Sequence, residues 1–154
     1  MKKLLSLLTV IAIAFTLVGC SKAEEKKTTA SIKSNVGEVE LEIVLELYHD
    51  GEVVNKQVQK GTFTGKTLEE AENLYNSNVT VDYNELAKQD GFDYSVEKEG
   101  NSIIENLTID FDKISTDTYN KVTGQSLDTS KKIQISYEQT VNQFKQQGFT
   151  ITEE

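Results

Sequence analysis

The chain has 154 residues, with 16 basic and 25 acidic side chains and a formal net charge of −9 at pH 7. All the basic residues are lysines, and Pro and Trp do not occur. Proteins that bind nucleic acid need clusters of Lys and Arg for the phosphates, so this acidic composition argues against a nucleic-acid partner. It also disfavours a domain that lies flat on an anionic membrane surface.

The first 19 residues have the pattern of a signal peptide. Lys2 and Lys3 give a positively charged start, and a largely apolar run follows over residues 4–18. That run is shorter than the roughly 20 apolar residues that a membrane-spanning helix needs, and it has the length of a secretory apolar region. We therefore predict that residues 1–19 are a signal peptide.

The residues Leu17, Val18, Gly19 and Cys20 resemble the lipobox of bacterial lipoproteins. In that class, the cysteine sulfur receives a diacylglycerol and the chain is cut just before the cysteine. A reactive thiol would need a folded, electropositive environment, which a position between a signal peptide and a polar segment does not supply. The resemblance implies that lipidated Cys20 anchors the protein to the external face of the cell membrane.

The segment after the cysteine is polar. Residues 21–35 contain few apolar side chains, too few to offset the chain entropy lost on folding. We predict that residues 20–34 form the lipidated cysteine and a flexible tether. Residues 35–154 have a length that suits a single folded domain.

An alternating pattern predicts the first hairpin of that domain. Between residues 39 and 47 the odd-numbered residues are apolar and most of the even-numbered ones are Glu. This period of two is typical of a strand with one buried face. Asp50-Gly51 predicts a tight turn, so residues 52–64 should return as the second strand. That strand is more polar and carries lysines, which favours an edge position.

A helix and a second hairpin are predicted next. Thr67 and Glu70 have the spacing of a capping box, and an apolar stripe with helical spacing runs from there towards Gly91. The weak helix formers near residues 76–80 suggest a break in that helix. Alternation then predicts two strands joined by a turn over residues 92–112.

The C-terminal part is predicted to hold a short helix at about residues 117–122 and a last helix that Ser136 caps and Gly148 ends. The predicted order is ββαββα. An antiparallel sheet built from two hairpins, with two main helices on one face, is a two-layer α+β sandwich. The acidic face of the first strand should stay exposed to water.

With these elements in place, the chain resembles the YehR-like family of small bacterial lipoproteins, whose domain has no known function. The resemblance is carried by the lipobox at Cys20, the hairpin ending at Gly51, the helix after Thr67, and the segments GFDYSVEKEG, ENLTIDFDKI and FKQQGF. It implies a lipid-anchored α+β domain and carries over no catalytic residue.

The outward-facing side of the first strand is the candidate partner surface. It comprises Glu38, Glu40, Glu42, Val44, Glu46 and Tyr48. Carboxylates at i and i+2 on a strand lie roughly 7 Å apart, whereas calcium needs six to eight converging oxygens, so we predict no metal site there. A lone His49 beside a turn is expected to be solvated. Asp110 and Asp112 lack the pocket that an acid/base pair needs.

No nucleophile motif, metal-spaced cluster or phosphate-binding loop is present in the sequence, so we predict a non-enzyme without a cofactor. The leading hypothesis is a binding or accessory domain that contacts an unidentified envelope protein. The alternative is a small-ligand-binding lipoprotein with a pocket between the sheet and the helices. Four rings are expected to line that pocket: Tyr75, Phe92, Tyr94 and Tyr137. A separate role for the cleaved signal peptide stays open.

Overall fold

The computed structural model describes residues 24–79, 81–130 and 132–153, so the predicted signal peptide and the lipobox with Cys20 lie outside the described residues. The described elements are β1 (Lys26–Val36), β2 (Val39–His49), β3 (Val53–Thr64), α1 (Leu68–Asn78), α2 (Tyr83–Leu86), β4 (Phe92–Glu99), β5 (Ser102–Asp110), α3 (Thr116–Thr123), β6 (Ile135–Ser136), α4 (Tyr137–Gln146) and β7 (Thr150–Glu153). The fold class is α+β, as predicted.

The strands of the described residues form one antiparallel sheet in the order β4-β5-β3-β2-β1-β7, with the short β6 pairing with the start of β3. The two predicted hairpins are present as β2–β3 and β4–β5. The predicted ββαββα order is wrong in detail, because it omits the strands β1, β6 and β7 and the short helix α2. The short helix predicted at about residues 117–122, which that order did not count, is present as α3. The two short strands and the single-turn helix α2 are too brief to give a periodic sequence signal.

The predicted tether is wrong from Lys26 onward, because this part of the chain is the strand β1. β1 pairs with β2 along its whole length, from Lys26 opposite His49 to Val36 opposite Val39. Thr28 is buried on the face that packs against the helices. A polar strand of this kind is stabilised by its backbone pairing and by cross-strand contacts, neither of which its composition reveals.

The predicted edge position of the second strand is also wrong, because β3 lies in the middle of the sheet. It pairs with β2 on one side and with β5 on the other. Gln57 and Gln59 are each 1% exposed and point to the same face as Phe63. The polar residues of β3 therefore include side chains buried in the core, and they do not mark an exposed edge strand.

The helices begin and end close to the predicted positions. Thr67 Oγ1 accepts a hydrogen bond from the Glu70 backbone N–H at 3.3 Å, and the Glu70 carboxylate accepts one from the Thr67 N–H at 3.2 Å, which completes the predicted capping box. The predicted break separates α1 from α2. Ser136 caps α4, and Gly148 follows it with a φ of +92°.

The core lies on one face of the sheet, which we call the inner face. It carries the odd-numbered residues of β2 together with their cross-strand partners in β3 and β5. Side chains from α2, α3 and α4 pack on this face in the larger core cluster, which includes Leu45, Leu107, Tyr119 and Phe144. A smaller cluster lies under α1 around Phe63. We call the opposite side of the sheet the outer face.

Gly91, just before β4, occupies a position that only glycine fits. Its φ is +79°, and a Cβ atom there would lie 2.3 Å from the backbone nitrogen of Ile114. Its carbonyl also accepts a hydrogen bond from the Asp110 N–H at 2.9 Å. Gly100, in the β4–β5 turn, has a similar φ of +59° but nothing within 4 Å of its Cβ position.

We expect Gly91→Ala to lower the free energy of unfolding by about 3 kcal/mol or more, because it combines a left-handed backbone with a clash against the Ile114 backbone. Gly100→Ala is the matched control and should lose only about 1–2 kcal/mol, the cost of the backbone conformation alone. Urea unfolding measures both. Equal losses for the two variants would contradict the close contact at Gly91.

Candidate functional site

The predicted partner surface lies on the outer face, and its glutamates are paired with lysines. The Lys33 ammonium lies 3.8 Å from Glu40 and 3.3 Å from Glu42, both across the β1–β2 pair. Lys27 lies 3.7 Å from Glu46 on the same pair of strands. The surface is therefore a mixed-charge ladder rather than a purely acidic face.

Tyr48 extends this ladder. Its hydroxyl donates a hydrogen bond to Glu46 Oε2 at 3.0 Å, which raises the pKa of the phenol. The Lys56 ammonium from β3 lies 3.9 Å from the centroid of the Tyr48 ring. At the other end, Glu38 accepts from the Lys66 ammonium at 2.6 Å. Exposed ion pairs of this kind contribute little to stability, so the surface can exchange its internal partners for those of another molecule.

His49 is buried, which contradicts the prediction of a solvated turn residue. It is 3% exposed and continues the inner-face series of β2, two residues after Leu47. The Gly51 backbone N–H donates to His49 Nδ1 at 3.1 Å, so the ring proton sits on Nε2. Nε2 then donates to Thr28 Oγ1, 3.0 Å away. The same alternation that predicted the strand could have placed this side chain inward.

The imidazole of His49 also stacks on Tyr137, the first residue of α4. The ring centroids are 3.6 Å apart and the planes differ by 8°. The Tyr137 hydroxyl lies 2.8 Å from Thr28 Oγ1 and 3.5 Å from Glu153 in β7. Burial, followed by the nearby Lys26 charge, lowers the pKa of His49. The cluster joins β1, β2, α4 and β7 with all its bonds made, which indicates a structural clamp.

A second buried titratable group, Glu105, lies on the inner face of β5. It is 1% exposed and falls between Ile103 and Leu107 in the alternating series. The Tyr94 hydroxyl donates to Glu105 Oε1 at 3.0 Å. Among the described residues, Glu105 Oε2 has no hydrogen-bond partner. Burial raises the pKa of Glu105, and the Tyr94 hydrogen bond opposes part of that rise.

Three tyrosines gather around this carboxyl group. Tyr75 from α1 and Tyr94 from β4 share a hydrogen bond between their hydroxyls. The ring of Tyr83 from α2 lies 5.0 Å from that of Tyr94. Burial, with a further contribution from Glu105, raises the pKa of Tyr83 to about 12. Burial also raises the pKa of Tyr75, so these phenols stay protonated at neutral pH.

The structure brings together three of the four rings predicted to line a pocket. The ring of Phe92 lies 6.0 Å from that of Tyr83, which in turn contacts Tyr94, and Tyr94 is hydrogen-bonded to Tyr75. Tyr137 lies in the His49 clamp instead. The sequence prediction missed Glu105 and Tyr83, although the position of Glu105 in an alternating apolar series was a usable signal.

A shallow groove of about 390 Å³ lies beside β1 near the start of β7, away from these rings. It is lined by Ser31, Ile32, Lys33, Glu42, Gly148 and Thr150. Across the described residues, no three His, Cys, Asp or Glu side chains are grouped closely enough to hold a metal ion. No helix in that same part of the chain has the length and apolar character needed to cross a membrane.

We expect Thr28→Val to lower the free energy of unfolding by about 1–3 kcal/mol, because His49 Nε2 and the Tyr137 hydroxyl both lose their shared buried partner. Thr29→Val, on the outer face of the same strand, is the control and should change stability by less than about 0.5 kcal/mol. Urea unfolding at pH 7 tests the pair. A Thr28→Val variant as stable as the control would show that the clamp is not holding β1.

Glu105→Gln tests the buried carboxyl group. Because the folded-state pKa is raised above the ordinary value of 4.5, the wild-type protein should lose stability as the pH rises from about that value through the folded-state pKa. The amide variant should lack this loss and be more stable by about 1–3 kcal/mol at pH 8. Urea unfolding at a series of pH values measures the free energy of unfolding of both proteins. Glu97→Gln, at an exposed position of β4, is the control. A parallel decline in Glu105→Gln would contradict the assignment.

Comparison with known proteins supports the predicted resemblance. A family model described as Protein of unknown function (DUF1307) matches residues 28–150. An uncharacterized lipoprotein of Listeria monocytogenes is 30% identical over 97% of this chain and 95% of its own length. A second uncharacterized lipoprotein, from Listeria innocua, is 28% identical over 99% of this chain and 97% of its own length.

Two solved structures share the fold. The Escherichia coli YehR protein superposes with a TM-score of 0.58 at 17% identity, covering 86% of this chain and 94% of YehR. A protein of Streptococcus pneumoniae superposes with a TM-score of 0.57 at 11% identity, covering 94% of each chain. The predicted family is thereby confirmed: the chain belongs to the DUF1307 family of proteins of unknown function and has the YehR-like fold.

Proposed function

We propose that this protein is a lipid-anchored, non-enzymatic binding or accessory domain on the outer side of the cell membrane, attached through Cys20. The lipobox and the relatives that are named lipoproteins support the anchor. A secretory signal peptide ahead of Cys20 supports the outer side, because it directs the mature chain across the membrane.

The position of β1 limits how far the folded domain can lie from its proposed lipid anchor. Since β1 begins at Lys26, only residues 20–25 separate the lipid from the folded sheet. Even fully extended, six residues span about 20 Å. The domain is therefore held close to the membrane, and its binding partner is a protein of the membrane or of the adjacent envelope.

The proposed partner surface is the outer face of β2, made of the side chains Glu40, Glu42, Val44, Glu46 and Tyr48, together with Glu38 in the turn that precedes the strand. It combines exchangeable ion pairs with half-buried Val44 in the middle of β2 and half-buried Tyr48 near its end, on a sheet face that no helix of the described residues covers. A mixture of apolar, aromatic and charged groups suits recognition of a complementary mixed-charge protein surface.

Crosslinking on intact cells tests this surface. A membrane-impermeant, amine-reactive crosslinker should join the lipidated wild-type protein to a partner of defined mass. The double variant Glu40→Lys/Glu42→Lys should reduce that product by about tenfold or more, because like charges would then meet across the interface. The matched control Glu69→Lys/Glu138→Lys adds the same number of amines at exposed positions of the helices α1 and α4, away from the outer face, and should keep the product.

Two outcomes would overturn the proposal. If the crosslinker reaches the protein only in lysed cells, the outer-side location is wrong. If the Glu40→Lys/Glu42→Lys variant keeps every crosslinked partner, the partner does not bind to this face of β2.

A second candidate function is favoured by the Glu105 region. A small-ligand site between the sheet and the helices would use Tyr75, Phe92 and Tyr94, and the free oxygen of Glu105 gives it a polar group to offer. It does not compete with the first candidate, because the partner surface lies on the outer face and Glu105 on the inner face of the same sheet.

A further inference from the structure

The carboxyl group of Glu105 is an incompletely satisfied polar group inside the core. Tyr94 supplies one hydrogen bond to Oε1, and Oε2 receives none from the described residues. A buried acceptor without a donor costs free energy that an apolar side chain of similar size would not cost. The missing contact is a hydrogen-bond donor, and a positively charged donor would satisfy the carboxylate best.

The groups around Glu105 suit a cation. The Tyr83 and Tyr94 rings lie 5.0 Å apart and tilted by 47°, and the Tyr75 hydroxyl is bonded to that of Tyr94. A cation near the faces of such rings is attracted by their quadrupoles, and quaternary and substituted ammonium groups are commonly bound in this way. On the adjacent strand β3, Gly61 lies directly opposite Glu105 and adds no side chain to the site.

The charge of the surrounding segment also favours a cation. Residues 66–105, which contain α1, α2 and β4 and end at Glu105, hold ten acidic residues and three lysines. This segment therefore accounts for most of the net charge of −9 of the whole chain. A region whose charges share one sign attracts ligands of the opposite charge and raises their local concentration.

We propose that Glu105, together with Tyr75, Tyr83 and Tyr94, forms a binding site for the ammonium group of a small organic amine. The ammonium donates to Glu105 Oε2 and lies against the rings of Tyr83 and Tyr94. The proposal rests on the ligand-binding candidate and is independent of the partner surface on the outer face.

The groups that face Glu105 do not compete for this role. Tyr94 faces it from β4, Tyr75 from α1 and Tyr83 from α2, and all three are neutral phenols near pH 7. β3 contributes Gly61 and the amide of Gln59. Ammonium binding requires the ionised carboxylate, so affinity should increase as the pH rises through the range in which Glu105 loses its proton.

Titration of the full-length protein with n-butylammonium chloride tests the site. The chain has six tyrosines and no tryptophan, so its intrinsic fluorescence comes from tyrosine, and three of the six belong to the proposed site. We expect a saturable fluorescence change and a rise in the unfolding midpoint. Neither n-butanol, which has the same alkyl chain without the charge, nor sodium chloride at equal ionic strength should produce them.

Three variants test whether n-butylammonium binds at Glu105. Glu105→Gln keeps the size and the Tyr94 hydrogen bond but removes the charge, and it should weaken n-butylammonium binding by at least about tenfold. Tyr83→Leu should weaken it by several-fold through loss of one ring. Glu97→Gln, on the exposed part of β4, is the control and should bind as the wild type does.

The proposal is wrong if n-butylammonium gives no saturable change up to tens of millimolar, or if Glu105→Gln, shown by circular dichroism to be folded, binds it as tightly as the wild type. Either result would leave the crosslinking test unaffected. Equally, loss of the crosslinked partner in Glu40→Lys/Glu42→Lys would say nothing about the amine, since Glu40 and Glu42 lie on the other face.

Discussion

The common register of β2, β3 and β5 is the constraint on which the rest of the structure depends. Pairing places Leu45, Gln59 and Leu107 side by side on the inner face, and every second residue along each strand shares that face, except at the irregularity where His49 pairs with Val54. A slip of one residue in any strand would turn its whole apolar set towards water. The apolar residues therefore fix the register, and polar residues of the same parity, such as His49 and Glu105, are buried with them.

His49 and Glu105 are both buried and titratable, but their polar atoms differ in how many partners they find. His49 finds a donor at Gly51, an acceptor at Thr28 and a stacking partner at Tyr137, so its burial is compensated and ties four elements together. Among the described residues, Glu105 accepts a hydrogen bond only from Tyr94, and its Oε2 has no partner. A satisfied polar cluster in a core stabilises one packing arrangement, whereas an incomplete one is where a ligand has something to gain. This contrast is why we assign the clamp to structure and the Glu105 cluster to binding.

The start of β1 connects this fold to the membrane. Because β1 begins at Lys26 and pairs with β2 from His49 onward, a lipid on Cys20, as we propose, would be held within about 20 Å of the end of the sheet that carries His49. With that anchor, both proposed sites would belong to a domain held near the membrane. They lie on opposite faces of one sheet, so a protein partner on the outer face leaves the inner face free for a ligand.

The sequence by itself determined the elements whose signals are local. The alternation in β2, the capping box at Thr67 and the cap at Ser136 each depend on residues a few positions apart, and these elements formed as predicted. Only the tertiary structure decided that polar β1 is a strand and that β3 is central, because pairing with a distant segment supplies the stabilisation. The contacts of Glu105 with tyrosines from other elements were likewise decided by strand order and helix packing, which no short stretch of sequence encodes.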